Sequence, residues 1–129
     1  MDSVADFLTR IRNAGLAKHE KVDVPSSNLR VGIAQTLEQS GYIRSFRVAR
    51  DNKQGLMRVY LRYNEKGEHV IKKLQRVSTP GRRKYVRSTE IPKVRSGFGL
   101  AVLSTSKGVL TGEAATEKKI GGEWLFQVW

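Results

Sequence analysis

Near residue 40 the hydrophobic periodicity of this chain switches from helical to alternating, and that switch restricts the fold more than any other feature. Val4, Phe7, Leu8 and Ile11 fall at helical spacing behind Ser3 and Asp6, which supply an acceptor and an acid for a helix start; the helix should end near Gly15. Ser26-Ser27-Asn28 then caps a second helix with Leu29, Ile33 and Leu37 on one face, Val31 and Ala34 beside it and Gly41 at its C-terminal end. From Tyr42 the period is two. The runs Tyr42 to Arg50 and Leu56 to Tyr63, joined by Asp51-Asn52-Lys53-Gln54-Gly55, predict a hairpin with Met57, Val59, Leu61 and Tyr63 on one face and Arg58, Tyr60 and Arg62 on the other. Lys21-Val22-Asp23-Val24, stopped by Pro25, adds a short edge strand.

Asn64-Glu65-Lys66-Gly67-Glu68 is a polar, glycine-containing gap near the middle of the chain and marks a lobe boundary. The fold class that follows is α+β in two small lobes: residues 1–64, two helices on a short sheet, and residues 65–129, mostly β with one short helix. In the second lobe His69 to Val77 and Arg82 to Arg87 read as strands flanking the turn-forming Ser78-Thr79-Pro80-Gly81. Glu90-Ile91-Pro92-Lys93 makes at most one helical turn, and Gly97-Phe98-Gly99 is a hinge into the apolar strand Leu100-Ala101-Val102-Leu103. Thr111 caps a short helix through Ala114 and Ala115 to Lys119, which Gly121-Gly122 ends. Glu123 to Trp129 closes the chain as a strand, with Trp124, Phe126 and Val128 on one side.

Charge narrows the function. The 129 residues carry 24 Lys and Arg against 12 Asp and Glu, a net +12, and a field of that sign draws polyanions, with counterion release adding affinity. Nine of the cations (Lys72, Lys73, Arg76, Arg82, Arg83, Lys84, Arg87, Lys93, Arg95) lie between residues 72 and 95, where Glu90 is the one acid. Nucleic acid is the expected partner. A membrane is the rival polyanion, but there is no long apolar run, no signal-like segment and no helix with a basic face opposite a bulky apolar one. With no cysteine, disulfides, thiolate metal sites and a cysteine nucleophile are excluded. His19 and His69, fifty positions apart and each beside charged residues, read as solvated loop histidines, not as a metal site or triad; no cofactor and no small-molecule substrate are expected.

The functional stretch is Ser104-Thr105-Ser106-Lys107-Gly108, read as the turn leaving the buried strand. It offers short hydroxyls, a cation and a glycine that lets the backbone approach a partner, which suits sugar hydroxyls, base edges and phosphates. The same residues are also ordinary turn formers. Ser104 and Lys107 satisfy the S-x-x-K spacing of serine hydrolases, but S-D-N and K-T-G, the partner motifs, do not occur. Gly97 and Gly99 begin a G-x-G, yet Val102 occupies the place of the third glycine, so there is no dinucleotide fingerprint. Tyr85, between Lys84 and Arg87, suits either stacking on an unpaired base or covering a sheet edge. Glu123 suits either a local cation or a base amino group or ribose hydroxyl. On the first helix Arg10, Arg12 and Asn13 reach phosphates or are simply solvated.

Asp6-Phe7-Leu8-Thr9-Arg10-Ile11-Arg12-Asn13, Arg76-Val77-Ser78 before Pro80-Gly81, Glu90-Ile91-Pro92, and Ser104-Thr105-Ser106-Lys107-Gly108 ahead of Gly121-Gly122-Glu123 together resemble the bacterial and plastid small-subunit ribosomal protein S8 family, in order and along the whole chain. The resemblance implies a structural, non-enzymatic primary binder of the 16S ribosomal RNA central domain that helps nucleate the platform, ribosome-bound in the bacterial cytoplasm or plastid stroma beside other small-subunit proteins. It also implies possible repression of its own operon through a messenger copy of the RNA site. Carried over by motif, Ser104, Thr105, Ser106, Lys107 and Gly108 enter the RNA minor groove, Tyr85 and Glu123 flank them, and Arg12 with Asn13 touches a backbone farther along. Independently of the resemblance, the basic block that holds Arg83, Lys84 and Arg87 is expected to neutralise phosphates. The rival readings are a serine-lysine acyl hydrolase and a basic nucleic-acid binder without site preference. The chain departs from the family pattern at Gly112 and Glu113, where an acidic or His residue and then a basic one are usual, at Asn28, where lysine is common, and at Phe126, where cysteine is frequent.

Overall fold

The computed structural model describes residues 3–49 and 55–129. Arg50 and the Asp51–Gln54 part of the expected hairpin connection lie outside the described residues. The chain divides into two units, Ser3–Val70 and Ile71–Trp129.

In the first unit, helix α1 (Ser3–Leu16) buries Val4, Phe7, Leu8, Ile11 and Ala14, the face its periodicity predicts. Helix α2 (Asn28–Gln39) starts where Ser27 accepts a hydrogen bond from the Arg30 amide at 3.1 Å, and Gly41 follows it with φ +80°. Strands β1 (Lys21–Pro25), β2 (Ile43–Ala49) and β3 (Leu56–Leu61) form an antiparallel sheet in the order β1-β3-β2, so β1 is an edge as expected. Met57 and Val59 of β3, with Val24 and Ile43, join Phe7, Ile11, Ile33 and Leu37 in a fully buried core.

Arg30 is the surprise of this unit. It sits on α2 as a polar residue beside the apolar stripe, yet it is 6% exposed. Its guanidinium donates to Pro25 O at 2.9 Å and to Ser3 Oγ, Ser3 O and Asp6 Oδ2, each at 3.1 Å. A buried charge that is fully paired ties α1, β1 and α2 together. His69 also corrects its expectation. It is half-buried, its ring 5.5 Å from that of Tyr63, and it packs so closely on Gly15 that a Cβ there would stand 2.1 Å from Nδ1. Gly15 is therefore needed for contact as well as for ending the helix.

The second unit is built on a five-stranded sheet. Strand β8 (Gly122–Val128) has β6 (Leu100–Thr105) on one side, with β7 (Gly108–Thr111) beyond it. On its other side β4 (Leu74–Arg76) and β5 (Tyr85–Val86) lie end to end, β4 along Phe126–Val128 and β5 along Gly122–Glu123. The two long strands expected at 69–77 and 82–87 are thus shorter; each pairs with β8, and the turn between them is closed by a bridge from Thr79 to Arg82. The reason lies in β8: Val102 pairs with Phe126 but Leu103 with Trp124, so Leu125 is an extra, bulged residue. Its carbonyl accepts from the Val77 and Ser78 amides, which turns the chain out of the sheet between β4 and β5. The bulge also places Trp124 on the face opposite Phe126 and Val128, against the simple alternation.

Helix α3 (Gly112–Glu117) is capped by Thr111 Oγ1, which accepts from the Ala114 amide at 3.1 Å. It ends at Lys118, with Lys119 left-handed at φ 58°, so Gly121-Gly122 is not its terminator. Those glycines serve packing: a Cβ at Gly121 would lie 2.4 Å from Val86 O and one at Gly122 2.3 Å from Ser104 O. No helical turn forms at 90–93; a tight turn follows at Val94–Gly97, with Arg95 and Ser96 in left-handed backbone at φ 51° and 56°. No helix among the described residues is long and apolar enough to cross a membrane.

Candidate nucleic-acid interface

The hydroxyl stretch is the tip of the β6–β7 hairpin, and only part of it is turn. Ser104 and Thr105 are the last residues of β6, Ser106 and Lys107 form the turn, and Gly108 opens β7. Positive φ falls at Gly108 (+100°), not at Ser106 or Lys107, and the space where its side chain would stand is open. The glycine is therefore required by the backbone conformation, and it leaves the tip bare. Thr105 is spoken for within the turn: its hydroxyl donates to Gly108 O at 2.8 Å and accepts from the Lys107 amide at 3.1 Å. Ser104 and Ser106 make no side-chain hydrogen bond among the described residues, and Ser106 and Lys107 are exposed.

Strand register aligns residues far apart in sequence. Tyr85 pairs with Glu123, Glu123 with Ser104, and Ser104 with Val109, so Tyr85, Glu123 and Ser104 form one rung across β5, β8 and β6. Tyr85 is 70% exposed, an extent that matches a ring available for stacking and not one covering the sheet. Arg83, Lys84 and Arg87 are exposed on either side of it. Glu123, in the centre, is largely covered. Its Oε2 accepts from Ser78 Oγ at 2.5 Å and from Arg83 Nη1 at 2.9 Å, while Oε1 takes no hydrogen bond among the described residues. Burial pushes this carboxyl up, but the hydrogen bonds from Ser78 and Arg83 and the charges of Arg83 and Arg76 outweigh it and hold the carboxyl below its ordinary range. Glu123 is thus an ionised acceptor that also fixes Arg83.

Ser78 is the site residue to which sequence reasoning gave no role beyond its place in a turn and in the Arg76-Val77-Ser78 motif. It is fully buried, donates to Glu123 and accepts from the Lys84 amide at 3.1 Å, so it positions both the acid and the basic segment. A hydroxyl acting across forty-five positions leaves no local signal. Arg12 and Asn13 are exposed on α1, in the other unit. No cluster of metal-ligating side chains occurs among the described residues.

A sheet end carrying hydroxyls, an exposed ring and cations has the chemistry to meet a polyanion with sugar-lined grooves. Residues 2–129 match the family "Ribosomal protein S8". The "Small ribosomal subunit protein uS8" of Bdellovibrio bacteriovorus is 60% identical over 129 residues, covering both chains completely. Proteins of the same name from Geotalea daltonii and Streptococcus uberis are 57% and 50% identical over 128 residues, 99% of this chain and 97% of theirs. The chain belongs to the ribosomal protein S8 family, a structural and non-enzymatic family of the small ribosomal subunit. The S-x-x-K reading of Ser104 and Lys107 falls with that assignment.

Proposed function

We propose that this protein is a primary binder of the 16S ribosomal RNA central domain, and that residues 65–129 carry the recognition. The single observation that supports the reading best is the rung Tyr85–Glu123–Ser104 ending beside a glycine-opened hairpin tip. An A-form minor groove is wide, shallow and lined by ribose 2′-hydroxyls, so short hydroxyl side chains reach it where long ones do not. Ser104, Ser106 and the tip backbone at Gly108 enter the groove, with Thr105 holding the turn in shape. Tyr85 stacks on an unpaired base, and Glu123 Oε1 accepts from a ribose hydroxyl or base amino group. Arg83, Lys84, Arg87 and Lys107 neutralise phosphates, and Arg12 with Asn13 touches RNA backbone elsewhere. The protein works beside neighbouring small-subunit proteins in the bacterial cytoplasm, a placement favoured over a plastid by the bacterial sources of the relatives above. Repression of its own operon uses the same surface on a messenger copy of the site.

The test compares two RNAs. Ser104→Ala or Tyr85→Ala should each cost roughly 1 to 3 kcal/mol on central-domain RNA and little on random duplex. Lys107→Ala or Arg87→Ala should weaken both and lower the salt slope by about one unit. Equal losses on both RNAs for all four variants would contradict the site and leave a basic binder without site preference.

A further inference from the structure

Ser78 follows β4 by two residues, is 0% exposed, and has every polar atom engaged. Its amide donates to Leu125 O at the β8 bulge at 3.3 Å, and its carbonyl accepts from Arg76 Nε. Its hydroxyl lies between the Lys84 amide, at 3.1 Å, and Glu123 Oε2, at 2.5 Å. The sense of those two bonds is forced. A backbone N–H can only donate, so the Lys84 amide takes a lone pair of Oγ and the Oγ proton goes to the carboxylate. The shorter distance is that of a charge-assisted bond.

One hydroxyl thus couples two members of the rung. Through Oε2 it fixes Glu123, whose side chain stays 16% exposed and whose Oε1 has no partner among the described residues. Through the Lys84 amide it fixes the residue before Tyr85, where β5 begins. The charged and titratable groups facing Glu123 are Arg83 from the basic segment, Arg76 from β4 and Tyr85 as a cross-strand neighbour; Ser104 flanks it on β6. Burial raises the carboxyl, and the hydrogen bonds from Ser78 and Arg83 with the charges of Arg83 and Arg76 hold it down. A hydrogen bond to a base edge or ribose tolerates a displacement of only about 0.5 Å, whereas long cations follow a phosphate that moves. Position therefore matters to choice more than to affinity.

We propose that Ser78 is a specificity-determining positioning residue: without touching RNA, its hydroxyl aims Glu123 Oε1 and seats Tyr85, and so sets which RNA is preferred. This role rests on the RNA recognition proposed above and adds to it a residue outside the contact surface. The test is the ratio of affinities for central-domain RNA and random duplex, measured with the full-length chain between pH 7 and pH 5. The parent's ratio should stay nearly constant. Ser78→Ala should lower it roughly tenfold at pH 7 and further as pH falls, because burial of the carboxyl is then less opposed and Glu123 takes up its proton at higher pH. Ser78→Cys keeps a weaker donor, so its ratio should fall between the two, and it reads the effect if the alanine variant does not fold. Glu123→Gln should lower the ratio without that pH dependence, which also controls for titration of the RNA. Adding Ser78→Ala to Glu123→Gln should cost less than Ser78→Ala costs alone. The parent's ratio and pH profile in Ser78→Ala, equal losses on both RNAs, or full additivity with Glu123→Gln would each overturn the proposal. Failure of the RNA recognition itself would appear instead in Ser104→Ala and Tyr85→Ala, whose ratios would then match the parent's.

Discussion

Two side chains in the hydroxyl stretch that look equivalent on paper act differently. Thr105 spends both hydrogen-bonding capacities on its own turn, so Thr105→Val should lower stability by about 1 kcal/mol, read as a lower urea midpoint, and should weaken RNA binding only through a looser tip. Ser104 has no such duty, and Ser104→Ala should leave the urea midpoint within about 0.5 kcal/mol of the parent. Glu123 gives a pH prediction whose sign follows from its depressed carboxyl. Its stabilising effect is complete above the ordinary value of 4.5 and is lost as pH falls through the lower folded value. Between pH 6 and pH 3 the parent should therefore lose stability more steeply than Glu123→Gln; parallel curves would deny the ionised carboxylate its role.

At the scale of elements, what periodicity controls was legible and what long-range pairing controls was not. Both N-terminal helices, the edge strand β1 and the β2–β3 hairpin follow from apolar spacing and caps alone. The end-to-end placement of β4 and β5 and the reversal of Trp124 follow from a bulge at Leu125 that the even alternation of residues 123–129 hides. Arg30 was passed over because its partners Ser3 and Asp6 lie more than twenty positions away. Arg30→Met should destabilise the first unit by about 1 to 3 kcal/mol by leaving its half-buried acceptors on Ser3, Asp6 and Pro25 without that donor, measured by denaturant unfolding, without changing the second unit's affinity for RNA. Gly121-Gly122 looks like a helix stop, yet the close approach of Val86 and Ser104 carbonyls is its physical reason. Gly122→Ala should force β6 from β8, cost about 1 to 3 kcal/mol, and lower cognate RNA affinity, since the rung crosses those strands.

For the molecule as a whole, the proposed function assigns affinity for RNA in general to the net charge of +12, which supplies binding but not choice. In that proposal selection falls to the few uncharged or internally fixed groups on the rung, which the register of β5, β8 and β6 gathers from positions 85, 104 and 123. Hydroxyl-radical footprinting on small-subunit ribosomal RNA reads ribose accessibility and so examines this division directly. The parent protein should protect one continuous patch of minor-groove riboses in the central domain, and Ser104→Ala should expose that patch while protections at the flanking backbone persist. Protections scattered along the RNA, or identical for parent and variant, would contradict minor-groove recognition by the hairpin tip.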